Sequence, residues 1–293
     1  MTTIAVTSLH IYPVKSCAGI DLSSAVITPR GFEYDRNWMI VDPAGEKLTQ
    51  RECPAMVGIE PYIEGEVLQL QAKNIAPLNL PLNPRSINQC EVEIWGDRCK
   101  ALDEGERAAR WISQVLQRDL RIVRFHPEHT RAVASAWSGE TGAHTAFADM
   151  LPFLITSEES LATLNREREK IGLHPSPMNR FRPNIVITGG GSYGEDYIPS
   201  LRLPGTNAKL ELVRPCSRCV IVDTDQDTGA KESKGNLKIL AANRKFKNYK
   251  GESGVMFGVQ ALPLSADGQR ISVGDILSIE EKTEGLPPLP RLK

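Results

Sequence analysis

Little in this sequence is in excess, and what it lacks narrows the field first. Lys and Arg number 35 against 36 Asp and Glu, a formal net charge of −1. That excludes a global basic field for nucleic acid or an anionic membrane, so anions must be met by local clusters. No run of 18 apolar residues occurs, which removes the ordinary membrane-spanning helix. Cysteine is sparse: six in 293 residues, at 17, 53, 90, 99, 216 and 219. The opening Met1-Thr2-Thr3-Ile4-Ala5-Val6 has no basic n-region and reads directly as a strand, not as a secretory signal. Reduced thiols in the cytoplasm are therefore the expected state. No internal repeat is visible. With 41% hydrophobic and 24% charged residues, the chain has the ordinary balance of a globular protein with a sizeable core.

What is present is mostly short strands. Strands are predicted at 3–12, 38–41, 67–71, 91–95, 120–125, 184–188, 210–213, 220–222, 255–259 and 276–279, from alternation or short apolar runs between turn residues. Two helices interrupt them. Ala108, Trp111, Ile112, Val115 and Leu116 recur at helical spacing, with Asp103 and Glu106 as a capping pair. Ser157 caps a second helix that carries Leu161 and Leu164. Residues 127–146 read as a polar, irregular loop at an active site, and 285–293 as a Pro-rich tail. Many strands and few helices predict a mostly β protein, a barrel with helices at its margins.

The densest chemistry lies in Arg214-Pro215-Cys216-Ser217-Arg218-Cys219. Thiolates are soft ligands and nucleophiles, and neighbouring guanidinium groups favour that form. The plainer alternative is two small buried residues between strands. A thioredoxin-type site needs the pair at a helix start, and here a strand is expected next. A structural zinc site needs four ligands, so His126 and His129 would have to join the two cysteines. Gly189-Gly190-Gly191-Ser192-Tyr193-Gly194 matches G-x-G-x-x-G after a strand, but Pro199 and Pro204 interrupt the residues after it. A turn is the better reading than a dinucleotide fingerprint. Four cations stand in conspicuous turn or strand contexts, Lys15, Arg36, Arg182 and Arg218, and cations of this kind suit phosphate.

Five motifs in order carry a resemblance over about residues 4 to 280. They are Tyr12-Pro13-Val14-Lys15-Ser16-Cys17, Tyr34-Asp35-Arg36-Asn37-Trp38, Pro152-Phe153-Leu154-Ile155-Thr156-Ser157-Glu158, Phe181-Arg182-Pro183-Asn184-Ile185-Val186 and Pro215-Cys216-Ser217-Arg218-Cys219. Val273-Gly274-Asp275 agrees with them. Together they resemble the MOSC family, named for the C-terminal domain of molybdenum cofactor sulfurase. The nearest branch is the amidoxime-reducing component and its bacterial YcbX-type relatives.

The resemblance implies a MOSC β-barrel with an N-terminal β-rich domain. The expected division is 1–120 for the N-terminal domain, 121–284 for the barrel, and 285–293 for the tail. It implies a molybdenum-pterin cofactor with Cys219 on the metal and Asp149 beside it as a catalytic group. Lys15, Ser16, Arg36, Arg182, Asn184, Ser217 and Arg218 are implied to hold the pterin and its phosphate. No such role falls on Cys216, which is expected to pack.

The implied activity is reduction of N-hydroxylated compounds (hydroxylamines, amidoximes, N-hydroxylated bases) to the amine. The rivals are a sulfur carrier with a persulfide on Cys219, and a zinc-binding module. Relatives with a C-terminal ferredoxin domain need further cysteines, and none comes after Cys219. A separate ferredoxin- or cytochrome-type donor with its reductase is therefore expected, with neither nucleic acid nor membrane as partner. The targeting and membrane segment of eukaryotic relatives has no counterpart in this sequence. Met150 stands where relatives tend to carry a hydroxyl residue.

Overall fold

The computed structural model describes residues 3–83, 88–233, 235–247 and 253–284. The expected Pro-rich tail, 285–293, lies outside the described residues.

Seven strands close a barrel: β1 (Ile4–Ile11), β2 (Phe153–Ser157), β3 (Ile185–Thr188), β4 (Ser200–Arg202), β5 (Lys209–Ser217), β6 (Ser253–Leu264) and β7 (Ile276–Glu280). Their pairing order is β2-β3-β1-β7-β4-β5-β6, and β6 returns to β2 from Phe153–Ala261 to Ile155–Val259. Closure removes the open edges that would otherwise pair with other chains. Only β2 and β3 run parallel, and the helix Glu158–Lys170 makes their crossover. Ile4, Leu9, Ile155, Ile185, Ile187, Leu210, Leu212, Val259 and Ala261 fill the interior and are fully buried. Each large aliphatic among them contributes roughly 1.5–3 kcal/mol on burial. In β1 the inward residues change parity, from Ile4 and Val6 to Leu9 and Ile11. A bulge between Val6 and Ser8 absorbs the change and keeps all four inside.

A second sheet runs in the order Trp38–Val41, Arg121–Phe125, Asp97–Asp103, Asn88–Ile94. Both faces are covered, which explains the unbroken apolar run Trp38-Met39-Ile40-Val41. Trp38, Ile40 and Ile122 face Ala108, Trp111, Ile112 and Leu116 of the helix Gly105–Leu116. Met39, Val41, Val123 and Phe125 face Ala146 and Phe147. A three-stranded sheet, Glu60–Glu64, Val67–Ala72 and Ile75–Pro81, packs alongside.

The mostly β class with helices at the margins is what the structure shows. Three local expectations differ. Val220–Asp223 is a 3-10 turn, not a strand, because Val222 is drawn into a cluster with Leu164, Leu240 and Phe257. The helix after residue 103 lacks the expected capping pair. Asp103 accepts from Gly105 N (2.8 Å) and pairs with Arg121, and Glu106 pairs with Arg121 as well. Glu104, at the cap position, is committed to the Trp38 indole and to Arg124. Residues 127–146 are not wholly irregular, for Arg131–Ala132 pairs with His144–Thr145 and a short helix spans Ser135–Ser138. The sheets interleave along the chain, for the N-terminal strand Ile4–Ile11 belongs to the barrel while Arg121–Phe125 joins the second sheet.

Gly189 accounts for the glycine run. Its φ is +100°, and a Cβ there would lie 1.9 Å from the Thr3 carbonyl oxygen. A four-residue 3-10 turn, Gly194–Tyr197, comes next in place of the α-helix that a dinucleotide site uses.

Candidate active site

The pocket is built where loops from both sheets zip together. After β1, Lys15 N donates to Trp38 O (2.8 Å), Trp38 N to Pro13 O (2.9 Å) and Arg36 N to Tyr12 O (2.9 Å). Asp35 accepts from Tyr12 N at 2.8 Å. These bonds fix segments 12–17 and 34–38 side by side. Phe147 packs edge-on against Phe125 (centroids 5.1 Å apart) and donates its N–H to Arg36 O (3.0 Å). That anchor carries Ala148 and Asp149 to the same place. The 3-10 turn Met178–Phe181 delivers Arg182 and Asn184, and β5 delivers Cys216, Ser217, Arg218 and Cys219. Two register shifts of β5 against β6, at Leu212/Arg214 and Pro215/Ser217, accommodate Pro215 inside the strand.

All nine residues singled out in the sequence line one pocket: Lys15, Ser16, Arg36, Asp149, Arg182, Asn184, Ser217, Arg218 and Cys219. Three of them hold left-handed backbone, Ser16 (φ 66°), Arg36 (φ 49°) and Arg182 (φ 54°). Such conformations are uncommon outside glycine and concentrate at functional sites. Arg36 and Arg182 both lie over the Tyr12 ring, at 4.4 and 4.1 Å from its centroid. Arg36 is balanced by Asp35 (2.6 Å), whereas the Arg182 side chain donates to the Gln226 amide oxygen (3.2 Å). Burial, with Arg36 adding repulsion, pulls Arg182 down to about 10. The same burial pushes the Tyr12 hydroxyl up to about 12. An anion placed here would relieve Arg182.

Asn184 is fully engaged in holding strands together, accepting from Leu154 N and donating to His10 O (both 3.2 Å). Cys216 lies outside the apolar clusters. It stands half-buried in the pocket wall, where its sulfur accepts from Arg218 Nη1 at 3.1 Å, so the expectation that it packs is corrected. Arg218 also donates to Phe181 O (2.6 Å), and its Nε is buried without a partner. Cys219 begins the turn Val220–Asp223, and its sulfur accepts from Arg51 Nη2 at 3.4 Å.

Arg51 carried no sequence signal beyond standing in Thr49-Gln50-Arg51-Glu52-Cys53-Pro54, a turn context like that of the four cations chosen. Gln260, also in the wall, was legible as a polar residue inside the apolar run of β6. Trp95 was overlooked as well. Its indole donates to Asp149 Oδ1 at 3.1 Å from the tip of a hairpin.

Asp149 pairs with Lys15, whose ammonium also donates to Phe147 O (2.9 Å). The Asp149 side chain keeps 54% exposure, while that of Lys15 keeps 7%. Burial opposes charge on both groups. For Lys15 it prevails and lowers the ammonium; for Asp149 the charge and hydrogen bond of Lys15 win and hold the carboxyl well below its usual range. Arg131 fixes this loop from behind, donating to Ala146 O (3.2 Å), Ala148 O (2.5 Å) and Asp149 O (3.2 Å). Among the described residues, no three His, Cys, Asp or Glu side chains gather as a metal-ligand set. His126 instead accepts from Glu128 N, and His129 packs on Phe125. The zinc grouping is therefore not formed among them.

Comparison with known proteins adds lineage to this geometry. Residues 3–119 match the MOSC N-terminal beta barrel domain and residues 142–278 the MOSC domain. The chain is 36% identical over 253 residues to mitochondrial amidoxime-reducing component 1 of Mus musculus, covering 82% of this chain and 71% of that protein. It is 33% identical to mitochondrial amidoxime reducing component 2 of Bos taurus, covering 82% and 72%. It is 25% identical to molybdenum cofactor sulfurase of Bos taurus, covering 89% of this chain but only 30% of that longer protein. With both domains matched and the amidoxime-reducing components aligned over most of their length, the chain belongs to the MOSC family.

Proposed function

We propose that this chain is a molybdenum-cofactor-dependent reductase that returns N-hydroxylated compounds, amidoximes among them, to the amine form. The observation that carries the reading is the convergence of Lys15, Arg36, Arg51, Arg182 and Arg218 on a pocket with a thiol, Cys219, in its wall and one carboxylate, Asp149. Five cations against one acid, with the unpartnered Nε of Arg218, suit a strongly anionic phosphate-bearing group. The donor set fits a molybdenum-pterin.

Cys219 would ligate the metal. Lys15, Ser16, Arg36, Arg182, Ser217 and Arg218 would hold the pterin and phosphate, with Arg51 added by its contact to Cys219. Asn184 supports them by tying β1 to β2. When bound, the group supplies two-electron redox chemistry and an oxygen-accepting centre. Asp149 is ionised at neutral pH, so it accepts a hydrogen bond from the N–H or N–OH of substrate and orients it. Lys15, lowered by burial, is the proton-bearing partner of that pair. Trp95 holds Asp149 in place. The six cysteines are all unpaired, which suits a reducing compartment, the cytoplasm in this reading. Among the described residues no helix is long and apolar enough to cross a membrane. Electrons come from a separate carrier protein with its reductase.

The sulfurase match keeps a second reading in view, in which Cys219 carries a persulfide for delivery. One preparation separates the two. Metal analysis with pterin fluorescence should find molybdenum and pterin in the wild type and in Cys216→Ser, and neither in Cys219→Ser, which should also lose turnover. Metal-free protein with sulfane sulfur on Cys219 would favour the carrier instead.

A further inference from the structure

From Met256 to Leu262, β6 is buried and apolar except at Gln260. Val259 and Ala261 on either side point into the barrel, so strand alternation turns Gln260 outward, where it lines the pocket. It is 9% exposed. Among the described residues its carboxamide meets neither donor nor acceptor. Arg214, its partner across β5, reaches for Met150 and lies 5.0 Å from the Trp137 ring. Leu154, its partner across β2, is apolar. Asn184, the other carboxamide in the wall, is spent on Leu154 N and His10 O. A polar group this deep is costly without a partner, so the partner of Gln260 belongs in the pocket.

Strand register decides which part of a ligand that partner is. Ser217 pairs with Met256, and Arg218 N donates to Val255 O at 2.7 Å, so the segment leading to Cys219 leaves β6 near residue 255. Gln260 lies four residues beyond Met256, about 13 Å along an extended strand. The N–OH group of a substrate must stand at a metal on Cys219, and at that distance Gln260 does not hold it. Phosphate calls for charged groups, which Lys15, Arg36 and Arg182 supply. A neutral carboxamide, with an acceptor beside a donor, matches the edge of a heterocycle where a ring N–H stands next to a carbonyl. We infer that Gln260 hydrogen-bonds the pyrimidinone edge of the pterin, its Oε1 accepting from the ring N–H and its Nε2 donating to the ring carbonyl. The inference rests on the reductase reading and deepens it. Cys219 takes the metal, the cations take the phosphate, and Gln260 fixes the edge of the ring remote from the metal.

The test is Gln260→Met, close to Gln in length but without its donor and acceptor. Gln260→Asn is the second variant, which keeps the amide and withdraws it by one methylene. Molybdenum and pterin are measured in each purified protein, and the fluorescence of released pterin gives its rate of loss. Both variants should lose pterin roughly tenfold faster than wild type, the effect of removing two ordinary hydrogen bonds. Cofactor-free Gln260→Met should melt at or above the wild-type temperature, because a buried amide has gone. In pterin-loaded protein, KM for benzamidoxime with reduced viologen dye should not change. Wild-type rates of pterin loss in both variants would mean that water alone meets Gln260, and would overturn the inference. Normal pterin retention with a raised KM would overturn it too, and move Gln260 to the substrate. Faster loss with a lower melting temperature in both cofactor-free variants would make Gln260 a structural residue. Wild type that carries neither molybdenum nor pterin would overturn the reductase reading, and this inference with it.

Discussion

Arg51 is the cation that no motif marked, and it touches both Cys219 and Trp95. Arg51→Ala should lower the molybdenum and pterin content of purified protein while leaving the melting temperature of cofactor-free protein nearly unchanged. Arg182 gives a complementary test. Its guanidinium, lowered to about 10 by burial, gains from any anion that enters. Inorganic phosphate should therefore raise the melting temperature of cofactor-free wild type more than that of Arg182→Ala, and an equal rise would remove Arg182 from the anion site.

Glu195, far from this chemistry, governs a pH effect. It is fully buried, and burial pushes its carboxyl up to about 7, even though Ser157 and Ser160 donate to Oε2 at 2.9 and 2.8 Å. The native state then holds a proton that the unfolded chain releases near 4.5. Stability should fall as pH rises from about 4.5 to about 7, by about 3 kcal/mol in total, and level off above. Glu195→Gln cannot titrate, so denaturation of that variant should lose this slope. A slope that persists would assign it to another group.

At the scale of elements, the barrel depends on two strands meeting at its closing seam. Gly258 of β6 has φ +73°, and a Cβ there would lie 2.7 Å from both Ile155 O and Thr156 Cγ2 of β2. Neither backbone can yield without opening the seam. Gly258→Ala should therefore destabilise the fold by roughly 2 kcal/mol or more, read from chemical denaturation. The shifts in β5 act at the same scale. They let a strand containing Pro215 turn Ser217, Arg218 and Cys219 into one pocket wall, which an unbroken ladder against β6 would not do.

For the molecule as a whole, the site belongs to no single element. Its wall takes residues 15–16, 36, 51, 148–149, 151–154, 181–182, 184, 216–219, 221 and 260, from both sheets and the loops between them. Nothing in that wall supplies a nicotinamide site. The glycine run at 189–194 is shaped by its approach to Thr3 and opens no α-helix. The purified chain given NADH or NADPH alone should not reduce an amidoxime, and adding a carrier protein with its reductase should start turnover. Robust NADPH-driven turnover without a carrier would mean that residues 189–194 had been misjudged.

The sequence by itself determined the class of fold, because strand alternation and helical spacing are local signals. Ile4–Ile11, Trp38–Val41 and Ile185–Thr188 can be read without knowing their partners. It also marked Lys15, Arg36, Arg182, Arg218 and Cys219, because turn-bound cations and a C-x-x-C segment are unusual where they stand, while Ser16, Asp149, Asn184 and Ser217 came only with the resemblance to a family. Tertiary structure decided what depended on distant partners. Val220–Asp223 is a β-branched run that reads as a strand, yet a cluster with Leu164, Leu240 and Phe257 winds it into a turn. Lys15 and Asp149 are 134 positions apart, and only closure of the sheets makes them a pair that sets each other's charge. Arg51 and Trp95 became visible for the same reason. Each lies in a polar turn with no periodic signal, and its meaning comes from the thiol or carboxylate that folding brings beside it.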